Sequence, residues 1–192
     1  MQRYLTIFIF VIVISMQIFA QTTTNQTTYT RPEAGERFKK YVDNTVGLSA
    51  LLGPAVSATF RQIKNTPPEW KKTGSGFTKR FGDSFGRNFV NQTVTYGLDE
   101  ALKLDSNFYL SQKRDFKSKF SNSVVSAFTA RTSSGKRTIG APRIIGTYSG
   151  AIVANEVWMP KRFTYKDGLR DGSISLGTRV LFNLVREFIL KK

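Results

Sequence analysis

The sequence predicts an all-α protein: a compact bundle of five or six helices with glycine-mediated tight crossings, after an N-terminal signal peptide. Three observations predict it. Apolar residues recur at helical spacing over most of the chain beyond residue 34. Alternating strand patterns and hairpin dipeptides are scarce. Small residues repeat every four positions beside the apolar ones, as they do where helices approach closely. Sixteen Phe, seven Tyr and two Trp in a chain of 192 residues supply large surfaces to bury.

Met1-Gln2-Arg3 is a short positive start, Tyr4 to Ile14 is apolar apart from Thr6, and Ala20 offers a small residue before Gln21. That order is a secretory leader, 1–20, with cleavage expected after Ala20; its apolar run is short for a spanning helix. An uncleaved anchor stays open, because Ile18 occupies the third position before the cut. Residues 21–33, rich in Thr, Gln and Asn, read as a flexible polar stalk. Residues 34–192 read as a single helical domain.

Within that domain Phe38, Tyr41, Val42 and Thr45 mark a first helix. Pro54 must kink or split the next, since it lacks an amide donor. Thr66-Pro67-Pro68-Glu69 suggests a helix start, with Thr66 as cap and Glu69 completing a capping box. Gly74-Ser75-Gly76 interrupts, and Phe77 opens the longest helix, to about Leu104. Phe77, Phe81, Phe85 and Phe89 form a stripe beside Gly82 and Gly86, expected to be buried against another helix. Asp105-Ser106-Asn107 ends it.

Ser111 to Ala130 is the next helix, with Phe116, Phe120, Val124 and Ala127 on one face and Lys113, Arg114, Lys117 and Lys119 in its first half. Arg131 to Arg137 is a polar basic loop, in which Ser133-Ser134-Gly135-Lys136 lacks the fuller glycine spacing of a phosphate loop. Pro142 opens a helix carrying Gly146, Gly150 and Ala154. This small-residue stripe is the packing pattern of helix pairs in membranes, though its short length and Asn155-Glu156 favour a soluble buried helix. Lys166 to Leu190 is the last helix, with Leu169, Ser173, Leu176, Val180, Leu184 and Phe188 as its buried face and Gly172 and Gly177 thinning it.

Chemistry is bounded by what is missing. The chain has no His and no Cys, which excludes Ser-His-Asp and Cys-His catalysis, thiolate and imidazole metal sites, and disulfides. Asp99 and Glu100 are neighbours and point to different sides of a helix. Asp167 and Asp171 could share a face, but helix-start placement accounts for them. No enzyme, cofactor or metal is expected. Of 29 basic residues the leader holds only Arg3, so 28 face 13 acidic ones in the mature chain, a formal charge of +15. A field of that size favours anionic partners. Export and the dispersal of the basic residues argue against nucleic acid. The segment bearing Lys113, Arg114, Lys117, Lys119, Phe116 and Phe120 combines cations with aromatic rings and suits an anionic surface.

Several blocks resemble a family of uncharacterised exported bacterial proteins of the acidobacterial type. They are Asn65-Thr66-Pro67-Pro68-Glu69-Trp70, Gly74-Ser75-Gly76-Phe77 with Lys79-Arg80-Phe81, Tyr96-Gly97-Leu98-Asp99, Ser126-Ala127-Phe128-Thr129-Ala130-Arg131, Gly172-Ser173-Ile174-Ser175-Leu176-Gly177, and Phe182-Asn183-Leu184-Val185-Arg186-Glu187-Phe188. They cover roughly residues 48 to 189. Asp105-Ser106-Asn107-Phe108 departs from the Asp-Pro-Arg-Tyr-like step expected there. The resemblance implies a protein of the bacterial periplasm or cell envelope and no particular reaction. The functional expectation is a non-enzymatic basic envelope protein on an anionic membrane or acidic polymer. A soluble module for protein partners, or a membrane-embedded helical protein using its small-residue stripes, is the alternative.

Overall fold

A computed structural model describes residues 29–189. The expected leader, its expected cleavage point and residues 21–28 of the expected stalk lie outside them. The described residues form six α-helices and a small sheet. Helix α1 spans Ala34–Val46, α2 Leu48–Ile63, α3 Gly74–Ala101, α4 Phe116–Phe128, α5 Ala141–Val157 and α6 Tyr165–Phe188. Strand β1 is Leu104–Asp105, β2 Thr129–Thr132 and β3 Arg137–Ile139, antiparallel in the order β1-β2-β3. The helices stack in the order α2, α3, α5, α6, α4, with α1 across α3 and α2.

The all-α bundle is as expected, and the boundaries differ for physical reasons. Pro54 sits inside α2 without ending it; the break falls at Gly47, whose extended backbone (φ −64°, ψ 162°) separates α1 from α2. Pro68–Trp70 is one 3-10 turn, and the Thr66 side chain caps nothing there. Thr73 instead accepts from the Gly76 amide, so Gly74-Ser75-Gly76 is the first turn of α3 rather than an interruption. The basic loop after Ala130 proves to be the β2–β3 hairpin, with Gly135 (φ 81°) in its turn.

Glycine contacts build the stack. A Cβ on Gly150 of α5 would lie 2.5 Å from the Arg87 carbonyl oxygen of α3, and one on Gly146 2.6 Å from that of Asn91. On α6, Gly168 and Gly172 admit Ile152 and Tyr148 of α5 in the same way. Gly82 and Gly177 face open space and thin nothing.

The interior departs most from expectation. Among the described residues the buried apolar side chains are Ala58, Ala127, Ala130, Ala151, Ala154 and Leu176, whereas Arg80, Asp83, Asp99, Asp105, Arg143, Asn155, Asn183 and Glu187 are all buried. The aromatic stripe of α3 is not the buried face. Phe89 is 46% exposed and Phe77 36%, while Phe81 and Phe85 stack on each other half-buried. The other stripe of α3, Gly76, Arg80, Asp83 and Arg87, turns inward instead. Its charges find partners only there, and an unpaired buried charge costs about 3–5 kcal/mol against 1.5–3 for each buried aromatic or aliphatic side chain. On α6 the buried residues are Gly168, Gly172, Leu176, Asn183 and Glu187. Of the expected apolar face, Leu176 alone is fully buried; Leu169 and Phe188 are exposed.

Candidate functional site

The predicted surface residues lie where α4 meets the C-terminal half of α6. Asp115 caps α4 by accepting from the Ser118 amide at 2.8 Å, so the helix begins at Phe116. Lys113 and Arg114 therefore lie on the exposed segment before it, not on the helix, and Lys117 is exposed on its first turn. Phe116 stacks on Phe120 at 6.1 Å and meets Phe188 of α6 at 5.4 Å, and the Lys119 ammonium lies 5.3 Å from the Phe188 ring centre. Phe116 is 70% exposed and Phe120 48%. Both therefore project outward beside exposed cations, although the helical spacing had placed them with Ala127 on one face. Ala127 is fully buried. The structure brings all six residues to one end of the bundle.

Behind this end lies a polar network that centres on Asp105. Its carboxylate accepts from the Tyr29 hydroxyl, from the Tyr109 hydroxyl at 2.6 Å, and from the Asn107 backbone and side-chain amides at 2.9 and 2.8 Å. Burial alone would raise this carboxyl; the tyrosine and asparagine donors hold it below its ordinary value. The Arg131 guanidinium covers both tyrosine rings, at 5.1 and 5.2 Å. Asp99 accepts from the Ser106 amide and hydroxyl, but burial dominates and raises it. Glu100 takes Arg37 at 2.6 Å and Arg31 at 3.2 Å. The last residues of the expected stalk, Tyr29 and Arg31, are thus tied to the body.

Arg143, in the first turn of α5, is 3% exposed; it donates to the Ser126 carbonyl oxygen, and its Nε has no partner. Burial, and then the neighbouring Arg179, lowers it to about 9. At the opposite end of the bundle Asp83 is the hub. It accepts from Arg61, from Arg87 at 3.0 Å and from the Trp158 indole nitrogen at 2.8 Å. Arg87 continues to Asp171 at 3.0 Å and Asn155 at 2.6 Å. A shallow cleft of about 440 Å³ opens above it, lined by Trp70, Lys79, Gly82, Asp83, Gly86 and Trp158.

Asp167 and Asp171, the two carboxylates that could share a helix face, are each held by a separate partner. Asp167 accepts from the Thr164 amide and hydroxyl in a capping box, and Asp171 is committed to Arg87. Among the described residues there is no group of three potential metal ligands. Sequence reasoning missed both hubs. For the Asp83 hub the signal was the spacing of Arg80, Asp83 and Arg87, which is as helical as that of the phenylalanines; the Asp105 hub joins Tyr29, Tyr109 and Arg131 from separate segments and has no such spacing. No family model matches the chain, and no curated protein or solved structure does.

Proposed function

We propose that the protein is a non-enzymatic, strongly basic envelope component that docks on an anionic membrane surface. The observation that carries this reading is the patch at the α4–α6 end, where Phe116 and Phe120 stand exposed beside exposed Lys113, Arg114 and Lys117. Each cation near an anionic surface contributes on the order of 1 kcal/mol, so these together hold a protein reversibly, and physiological salt limits their reach to about 8 Å. The rings then supply shallow apolar insertion. The leader and the resemblance to exported bacterial proteins support the compartment.

Vesicle sedimentation tests this. The protein should pellet with anionic but not neutral phospholipid vesicles, and Lys113→Glu with Lys117→Glu should weaken that binding at least tenfold. Indifference to both vesicle types would refute membrane docking, and salt-sensitive binding to an acidic polysaccharide instead would move the partner to a surface polymer. A module that engages protein partners through its glycine faces has less support, because Gly146, Gly150, Gly168 and Gly172 are all used inside the bundle.

A further inference from the structure

We propose that the uncharged middle of the bundle is immersed in the acyl-chain layer of a lipid membrane, its cationic ends lying among anionic headgroups. This rests on the membrane reading above and carries it from the surface to the bilayer interior.

The inference starts from where charges face. On α2 the one charge is Arg61, which turns inward to Asp83. Outward stand Leu48, Leu52, Val56, Phe60 and Ile63, a single stripe whose members are all more than half exposed. On α3 the exposed positions between Lys79 and Lys103 are Gly82, Phe89, Thr93, Gly97, Ala101 and Leu102, none charged. On α5, Ile145 is the exposed residue between Ala141 and Asn155. On α6, no exposed position between Arg170 and Arg186 carries a charge, and Ile174, Leu181, Phe182 and Val185 are exposed there. At 1.5 Å per residue the uncharged exteriors of α2 and α6 each span about 24 Å. The hydrocarbon layer is about 30 Å, a difference that tilting or local thinning absorbs.

Cations bound this zone at both ends. Lys79, Lys161 and Arg170 are exposed at the Trp158 end, and Lys103, Lys117 and Arg186 at the sheet end. Exposed charges on α1, Lys39 and Asp43, fall within the zone; Lys39 lies between Phe38 and Tyr41, which pack on Tyr96, and Asp43 is beside Asn44, whose carbonyl accepts from Asn88.

Lipid accounts for these faces better than a second copy of the chain. The apolar stripe of α2 forms one outer layer of the stack, while α6 and α4 form the opposite side. A two-fold interface covers one patch and would leave the other in water. The interior fits the same environment: apart from the Arg143 Nε, the buried side-chain charges and amides find hydrogen-bond partners inside, and small residues bring helix backbones together, as in membrane bundles. Among the described residues no helix is by itself long and apolar enough to cross a membrane. On α3 the charges Arg80, Asp83, Arg87 and Asp99 face inward or pair there, and α2, of 16 residues, is short of a full span.

Single-cysteine variants decide the matter, since the chain has no cysteine of its own. Val56→Cys, Leu181→Cys and Lys161→Cys of the full chain are each labelled with an environment-sensitive fluorophore. They are then reconstituted in anionic phospholipid vesicles with and without lipid brominated on its acyl chains; circular dichroism checks that each keeps its helices. Bromine should quench the labels at 56 and 181 at least twofold and leave 161 nearly unchanged. If the protein sediments with the vesicles, salt releases it and no label is quenched, immersion is refuted while surface docking survives. Failure to sediment at all removes both. Labels that are shielded but unquenched, with cross-links between copies through 56 or 181, would assign the apolar faces to a second copy and overturn the proposal.

Discussion

Replacing Asp83 by Asn is the most direct test of the polar interior. Asp83 is 2% exposed and accepts from Arg61, Arg87 and the Trp158 indole. The amide keeps the shape, removes the charge, and puts an N–H where one of two carboxylate oxygens had accepted from a guanidinium. Arg87 retains Asp171 and Asn155, but Arg61 is left with a weak 3.9 Å contact to the Met159 sulfur and the Trp70 ring at 5.6 Å, neither of them an anion. Losing one partner of a buried ion pair costs about 3–5 kcal/mol. For a chain of this size that lowers the melting temperature by about 6–20 °C, since each kcal/mol moves it about 2–4 °C. Asp171→Asn is the internal control, because that carboxylate is 38% exposed and its pair with Arg87 is worth about 0–1 kcal/mol. Thermal and urea unfolding by circular dichroism, in one medium that keeps all variants monodisperse, gives both numbers. A loss below about 1 kcal/mol for Asp83→Asn, or equal losses for the two variants, would refute the claim that Asp83 organises this end of the bundle.

Two further predictions follow from the same packing. Gly150→Ala should destabilise the protein measurably in the same unfolding assay, because its Cβ would meet the Arg87 carbonyl oxygen at 2.5 Å, whereas Gly177→Ala, in open space within α6, should be neutral or stabilising by up to about 1 kcal/mol. The hydrogen bond from Arg37, with help from Arg31 and against burial, holds Glu100 below its ordinary 4.5. A depressed carboxyl stabilises the fold above its unfolded pKa and loses that contribution as pH falls through the folded value. The stability gap between the native chain and Glu100→Gln should therefore be full at pH 6 and close on acidification below about pH 4.5; a gap that does not narrow would argue against the Arg37–Glu100 pair.

Helix existence was legible because periodicity does not depend on which face turns inward. The face itself was not. On α3 two stripes coexist, Phe77-Phe81-Phe85-Phe89 and Gly76-Arg80-Asp83-Arg87, and hydrophobicity alone selects the wrong one. The information that decides sits elsewhere in the chain: Arg61 on α2, Trp158 after α5, and the glycines of α5 that leave room only against the polar stripe. The small sheet was hidden for a related reason. Strands β1, β2 and β3 have two, four and three residues, too short for alternation to register. The exposed cations and rings near Phe116 were legible as composition, but not their division between a loop and a helix, which one Asp115 cap sets.

The inverted polarity also bears on what holds the bundle together. In water, the outward apolar side chains of α2 and α6 contribute less than buried ones would, since about half or more of their surface stays exposed in the folded chain. What remains is close helix contact at Gly146, Gly150, Gly168 and Gly172, with two polar hubs, Asp83 near Trp158 and Asp105 beside the sheet. Van der Waals packing and interhelical hydrogen bonds are the terms that drive helix association where the solvent is itself apolar. A surrounding acyl layer would also lower the local dielectric around Asp83 and its arginines, strengthening their attraction. Stability that rises on transfer from detergent-free buffer to lipid, and that Asp83→Asn lowers by more in lipid than in buffer, is therefore the expected pattern. A protein equally stable in the two media would place its apolar faces in contact with something other than lipid.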